Sequence, residues 1–262
     1  MPWKRTLPGM AADGPADWPT PSDPGWPAGV RALTTTRGEA HGFGFNLGDH
    51  VGDDPDRVAE RRRLLVRRTG VSAIQWLRQV HGTRCVEATA ASVSAGVPEA
   101  DAVWTGTAGL GIAVLTADCV PVVVAARDGS AVGIAHGGWR GLVGGVVAAL
   151  VKAMPVAAQD TVAWIGPAIG PDAYEVGEEV AAAVRALPEL GGHASAAERV
   201  LRAGRRPDRY QLDLFALTRA LLVEAGVTRI QADGLCTFTD ARFYSYRGDG
   251  QTGRMATVAW LA

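Results

Sequence analysis

The apolar positions of this chain fall into two kinds of run. Val120–Ala126 is apolar almost throughout, Arg127-Asp128-Gly129-Ser130 carries turn chemistry, and 131–135 is apolar again. Unbroken apolar runs of this length, bounded by turn residues, predict strands buried on both faces and joined as a hairpin. The stretch "VRALTTT" (30–36), the segments 74–79, 84–87, 102–104, 111–115 and 161–165, and the late stretches "RIQADGL" and "MATVAWL" read as further strands. Helical spacing predicts helices over 56–69, 138–154, 175–187 and 210–226, the first closed by Gly70. Asp53-Asp54-Pro55 supplies that first helix with a cap and an initial proline. Strands and helices are interleaved with hairpins, and no GxGxxG turn follows a strand. A mixed α+β fold is therefore expected in preference to a doubly wound nucleotide-binding sheet.

Residues 1–27 are rich in Pro and Asp and read as a flexible or surface-wrapped arm, leaving 28–262 as a single domain. They contain no apolar signal core, so a cytoplasmic location is expected. A loop of 19 residues runs from Arg37 to Pro55, long and Gly-rich enough to suggest a functional role. The chain has 26 basic and 27 acidic residues, a formal net charge of −1. That balance gives no electrostatic footprint for nucleic acid or an anionic membrane. The one basic cluster, "RVAERRRLLVRR", is expected to be a solvated helix face. Three cysteines without a CxxC pair do not make a disulfide scaffold. No apolar run approaches membrane-spanning length, and a monomer acting on a small molecule is expected.

Cys119 and His136 stand at the outer ends of the predicted hairpin, 17 positions apart, where antiparallel pairing brings chain ends side by side. His81, in "WLRQVHGTRCVEA", stands at another strand end. Three such residues supply three ligands and leave a fourth position open, the pattern of catalytic zinc. The residues also admit other readings: an inert buried thiol with core histidines, or a metal-free pair with Cys119 as nucleophile and His136 as base. Gly137-Gly138, at a strand-to-helix junction after His136, permits close approach. The five histidines of the chain are too few for a multicopper cluster, and no Met near these motifs offers the axial ligand of a blue-copper site.

Six stretches, "QVHGT", "LTADCVPV", "AHGGWRGL", "WIGPAIGP", "YEVGEEV" and "SYRGDGQTGRMAT", together resemble the laccase-domain family, also called YfiH-like or multicopper polyphenol oxidase-like proteins. The resemblance runs from about Ala28 to Leu261 and includes "TTTRG" and "NLGDHVGDDP". It implies a layered α/β/β/α sandwich with mixed sheets, zinc on His81, Cys119 and His136, and purine nucleoside phosphorylase activity. Adenosine deaminase and methylthioadenosine phosphorylase activities are also attached to the family, and peptidoglycan editing to some members. Copper-dependent polyphenol oxidation and a cysteine hydrolase acting on mis-made cell-wall precursors are the alternatives. The resemblance further implies catalytic roles for Cys119 and His136, with Arg37 as leading phosphate contact and Asn46 and Arg247 as further substrate contacts. Glu175 is the implied acid/base partner for deamination, although a helix-start carboxylate explains it equally well. The chain departs from the family in Gly137-Gly138 for Ala-Gly, in Asp172-Ala173 for Cys-Cys, and in "GEAHGFGFN", which adds His41. None of these removes an implied zinc ligand.

Overall fold

The unbroken apolar strands are covered on both sides. The computed structural model describes residues 18–38, 43–188 and 199–262. His41 and His193 fall outside the described residues. One sheet has four strands in the order β1 (Val30–Thr34), β13 (Met255–Leu261), β5 (Leu110–Thr116) and β2 (Ala73–Gln75). The larger sheet runs β12 (Arg229–Ala232), β8 (Thr161–Ile165), β6 (Val120–Ala126), β7 (Val132–Gly137), β4 (Ala102–Thr105) and β3 (Cys85–Glu87). Both are mixed, because β2 pairs parallel with β5, β3 with β4 and β12 with β8, while the other pairs are antiparallel.

Alternation along the strands sorts side chains into three apolar layers. Val123 and Ala125 of β6 face Ile112 and Val114 of β5, with Trp164 of β8 filling the space between the sheets. Val122 and Val124 face outward, onto α4 (Val146–Ala153) and α6 (Leu214–Glu224). On the far side, Ala113, Leu115 and Val258 pack against Leu65 of α1 (Pro55–Thr69). The layers are thus α/β/β/α. A small sheet of β10 (Leu201–Ala203), β11 (Arg209–Leu212) and β9 (Glu175–Gly177) flanks the larger one. No helix among the described residues is long and apolar enough to cross a membrane.

Several elements depart from the sequence expectation for local reasons. The helix expected over 138–154 is two helices, α3 (Trp139–Gly144) and α4, divided at Gly145, whose φ of 97° ends the first. The helices expected at 175 and 210 begin instead as strands β9 and β11 and turn helical at α5 (Glu178–Arg185) and α6. Asp213 enforces the second switch, its carboxylate accepting the Ala216 N–H as an N-cap. The short α2 (Ala90–Ala95), closed by a Thr89/Ser92 capping box, and β10 lie in stretches read as connections.

The cluster expected as a solvated face on α1 is partly turned inward. Arg61 pairs with Asp53 at 2.5 Å, Arg62 lies over Trp76 at 4.4 Å, and Arg68 lies over Trp18 and Phe45. These guanidiniums hold the 43–54 loop and the start of the described chain to the core. Within the expected arm, residues 18–27 are in contact with the core: Trp18 is buried, and the Pro19 carbonyl accepts the Thr34 N–H at 2.9 Å.

Trp164 is fully buried, and its indole N–H donates to Asp233 at 2.9 Å. Trp164→Ala should cost about 3–5 kcal/mol, read from the denaturant midpoint, whereas a loss below 1 kcal/mol would mean that the inter-sheet layer is not the core.

Candidate metal centre and its cleft

The chain crosses from the four-stranded sheet to the six-stranded one through three residues between β5 and β6, Ala117-Asp118-Cys119. Asp118 has a φ of 92°, a left-handed conformation uncommon outside glycine. Both its carboxylate oxygens are held, one by the Thr237 hydroxyl at 2.7 Å and the other by the Arg247 N–H at 2.6 Å. Cys119 leaves this turn directly before β6. The antiparallel register sets Pro121 opposite His136, so the hairpin's outer end places the thiol near the imidazole. His81 comes from the turn after Arg78, at a φ of 60°.

The ligand atoms of His81, Cys119 and His136 lie within 4.8 Å of one another, with Cys119 Sγ 3.9 Å from His81 Nε2. The two imidazole rings meet edge to face, centroids 4.7 Å apart. Tetrahedral zinc with these donors needs ligand atoms about 3.5 Å apart, so a small contraction suffices and the donor set fits. Gly138 makes this possible. A Cβ there would stand 2.5 Å from His81 Cδ2 and 3.3 Å from Cys119 Sγ.

Asp101, at the entry to β4, is fully buried beneath the triad. Its Oδ1 accepts from His136 Nδ1 at 2.8 Å and from the His81 N–H at 2.9 Å. Its Oδ2 accepts the Val80 and Gly82 N–H groups at 3.0 and 2.7 Å. Burial pushes the Cys119 thiol up, but the charge of His136 and hydrogen bonds from His136 and His81 outweigh it and bring the thiol down to about 6. Burial lowers His136 in turn, and the Cys119 charge with the Asp101 hydrogen bond raises it to about 9. Thiolate and imidazolium stabilise each other. Cys85, by contrast, is pushed up to about 11 by burial.

The triad opens onto a cleft of about 1000 Å³. Trp76, Trp139, Tyr174 and Tyr246 line it with aromatic surface, and Arg62, Arg78, Arg140, Arg247 and Arg254 with charge, against Asp49 and Asp118. Arg62 faces Asp49 at 3.3 Å, Arg78 faces Glu99 at 2.9 Å and Arg140 faces Glu179 at 3.9 Å. Arg247 and Arg254 have no carboxylate ion pair among the described residues. They donate instead to backbone carbonyls, Arg247 to Glu175 and Arg254 to Thr252 and Gly253.

Of the residues singled out from sequence, His81, Cys119, His136 and Arg247 line this cleft, and Arg37, Asn46 and Glu175 are not among its lining residues. Arg37 lies over the Tyr244 ring and 3.7 Å from Asp249. Asn46 is fully buried, its Oδ1 accepting the Gly48 and Arg254 N–H groups at 2.8 Å, so it holds the loop against the segment that leads into β13. The Glu175 carboxylate accepts from the Arg205 N–H at 2.9 Å and from Arg206 at 2.6 Å. Asp101, Arg62, Arg140 and Arg254 were not anticipated. An acidic residue opening the buried run "DAVWT" was the available signal for Asp101.

A family described as multi-copper polyphenol oxidoreductase laccase matches residues 31–262. A purine nucleoside phosphorylase of Pseudomonas aeruginosa is 43% identical over 249 residues, 93% of this chain and 98% of that protein. The purine nucleoside phosphorylase YfiH of Escherichia coli is 40% identical over 246 residues, 91% of this chain and 97% of that protein. Among solved structures, a Neisseria meningitidis protein superposes with a TM-score of 0.84 at 38% identity, covering 93% of this chain and 98% of that one. YlmD from Geobacillus stearothermophilus does so with a TM-score of 0.84 at 32% identity, covering 93% and 96%.

Two outcomes follow for the site. Gly138→Ala should leave the protein folded and strip it of metal, because its Cβ needs the space that His81 occupies; stoichiometric metal in that variant would contradict the geometry. In metal-free protein, alkylation of Cys119 by iodoacetamide, followed by mass spectrometry, should rise with pH around a midpoint near 6 and level off by about pH 8, since the thiolate is the nucleophile. A rate still climbing above pH 8 would mean that His136 does not stabilise the thiolate.

Proposed function

The chain belongs to the multi-copper polyphenol oxidoreductase laccase family, and from that membership we propose that it is a zinc-dependent purine nucleoside phosphorylase. It cleaves adenosine or inosine with phosphate to the free base and ribose 1-phosphate, acting as a cytoplasmic monomer. One observation carries the reading: the His-Cys-His group opens onto the same cleft as two guanidiniums that have no carboxylate ion pair among the described residues. Phosphorolysis needs that pairing of features, an anion site beside a centre able to stabilise negative charge. Copper redox chemistry is the weaker reading, because five histidines in the chain and one such ligand group among the described residues fall short of a multicopper cluster.

The division of labour follows from placement. Arg247 and Arg254 attract phosphate, and Arg247 is held over the Tyr174 ring at 5.0 Å, which limits the entropy lost when the anion arrives. Trp139, Tyr174 and Tyr246, each with an arginine over its ring, line the cleft with aromatic surface for the purine and ribose. The bond from ribose C1′ to the purine nitrogen breaks as a phosphate oxygen bonds to C1′, leaving negative charge on the departing base. A zinc ion on His81, Cys119 and His136 would supply Lewis-acid stabilisation of negative charge at its open position. Asn46 and Arg37 act from behind the cleft wall, Asn46 by fixing the Arg254 backbone and Arg37 by its contact with Asp249 on α7 (Tyr246–Asp249). Glu175 contributes its carbonyl to Arg247, its carboxylate being engaged by Arg205 and Arg206. Deamination of adenosine and phosphorolysis of methylthioadenosine are assigned to the same cleft.

A second reading has one observation in its favour. The Cys119 thiolate beside a protonated His136 is also the resting pair of a cysteine hydrolase, which would need no metal and would suit editing of cell-wall precursors.

Product analysis separates the readings. With purified protein, adenosine or inosine should yield base and ribose 1-phosphate only when phosphate is present, and chelation should abolish the reaction. Arg247→Ala should raise the phosphate KM by about tenfold or more, the loss of one charge-assisted contact. Base release without phosphate would contradict phosphorolysis. Full activity after complete metal removal would transfer the chemistry to the cysteine pair.

A further inference from the structure

The two histidines of the triad come from unrelated segments, a tight turn and a strand end, yet both are set by one group. Asp101 stands one residue before β4 and is fully buried. Its carboxylate receives four donors: the His136 ring, and three consecutive backbone amides that bracket His81. Its own carbonyl accepts the His136 N–H at 2.7 Å, so side chain and backbone both grip that residue.

We propose that Asp101 is the positioning residue of the metal centre, fixing the tautomer of His136 and the backbone of His81 so that both rings face Cys119. The inference rests on the reading of the triad as a metal site. A carboxylate accepts but does not donate, so His136 keeps a proton on Nδ1, and Nε2 is the nitrogen left to give up its proton and bind a metal. Three amides converging on one carboxylate also hold the turn at His81, whose φ of 60° lies in the left-handed region that few non-glycine residues occupy. Without that clamp the His81 turn relaxes and its ring leaves the triad. Neither effect needs Asp101 to touch metal or substrate, and both act before substrate arrives.

Asp101→Asn separates this role from ordinary packing. The amide preserves volume, yet its NH₂ cannot accept from a backbone amide, and it can donate to His136 Nδ1, which puts the ring proton on Nε2. Cobalt(II) is the probe, added to metal-free protein and followed by its visible ligand-field bands and its near-ultraviolet thiolate charge-transfer band. Wild-type protein should show intense ligand-field bands of a four-coordinate site. Asp101→Asn should bind cobalt about 10- to 100-fold more weakly, lose ligand-field intensity and keep the thiolate band, since Cys119 is held by another turn. Val123→Ala, a change in the inter-sheet core, should lower thermal stability and alter neither affinity nor spectrum.

An Asp101→Asn protein with wild-type cobalt affinity and spectrum would overturn the assignment to Asp101 and leave the metal centre standing. A wild-type protein that takes up no cobalt or zinc would overturn the metal centre, and this role with it. Should Asp101→Asn fail to fold, nitrogen NMR of the zinc-loaded wild type decides: a proton on His136 Nδ1 with metal at Nε2 supports the proposal, and metal at Nδ1 contradicts it.

Discussion

A carboxylate buried away from water is costly unless its acceptor sites are filled, and leaving such a charge unpaired in a protein interior costs about 3–5 kcal/mol. Asp101 satisfies this constraint with the His136 ring and the amides of Val80, His81 and Gly82. The charge cannot be stabilised unless the turn before β3 and the end of β7 come together around it. The same contacts that make the burial tolerable therefore bring two imidazoles to within 4.7 Å, and folding and site assembly become one event. Burial raises the Asp101 carboxyl, but the His136 and backbone hydrogen bonds outweigh it and hold it below the usual carboxylate range. The carboxylate stays charged and remains an acceptor throughout the neutral range.

The third member of the triad is delivered by topology. Two sheets packed face to face need a connection, and between β5 and β6 that connection is only three residues long. A link so short leaves Cys119 little freedom, and the left-handed Asp118, tied to Thr237 and to the Arg247 backbone, removes most of what remains. The same aspartate docks the first turn of α7, which carries Tyr246 and Arg247 to the cleft. Cys119 and the cationic wall are thus registered against each other through one side chain, and aromatic and charged groups contributed by distant segments converge on a single cleft.

Much of this was legible in the sequence because its signals are local. The buried runs 120–126 and 131–135 specified the hairpin, and the hairpin specified that Cys119 and His136 meet. Layering followed from resemblance, and the strands' two-sided apolarity agrees with it. What escaped was set by partners far along the chain. Arg62 belongs to a run of arginines that looks uniformly solvated, and only the folded loop shows that it reaches Trp76 and the Leu47 carbonyl. Arg254 lies within the stretch "SYRGDGQTGRMAT", yet its place at the cleft depends on Asn46, 208 residues away in sequence. The strand at Arg209–Leu212 lost to helical spacing because Tyr210 and Leu212 fit either period until Asp213 caps the helix after them. Asp101 was passed over because one aspartate before an apolar run resembles any loop residue until its four donors are counted.

Whether one ion is held by His81, Cys119 and His136 is tested most directly by anomalous X-ray scattering from crystals of the protein, purified without chelator. Data collected on both sides of the zinc absorption edge should show a single strong peak at about 2.0–2.1 Å from one nitrogen each of His81 and His136 and about 2.3 Å from the Cys119 sulfur. A peak that appears at the copper edge instead, or a zinc peak bound elsewhere with the three side chains turned apart, would contradict it.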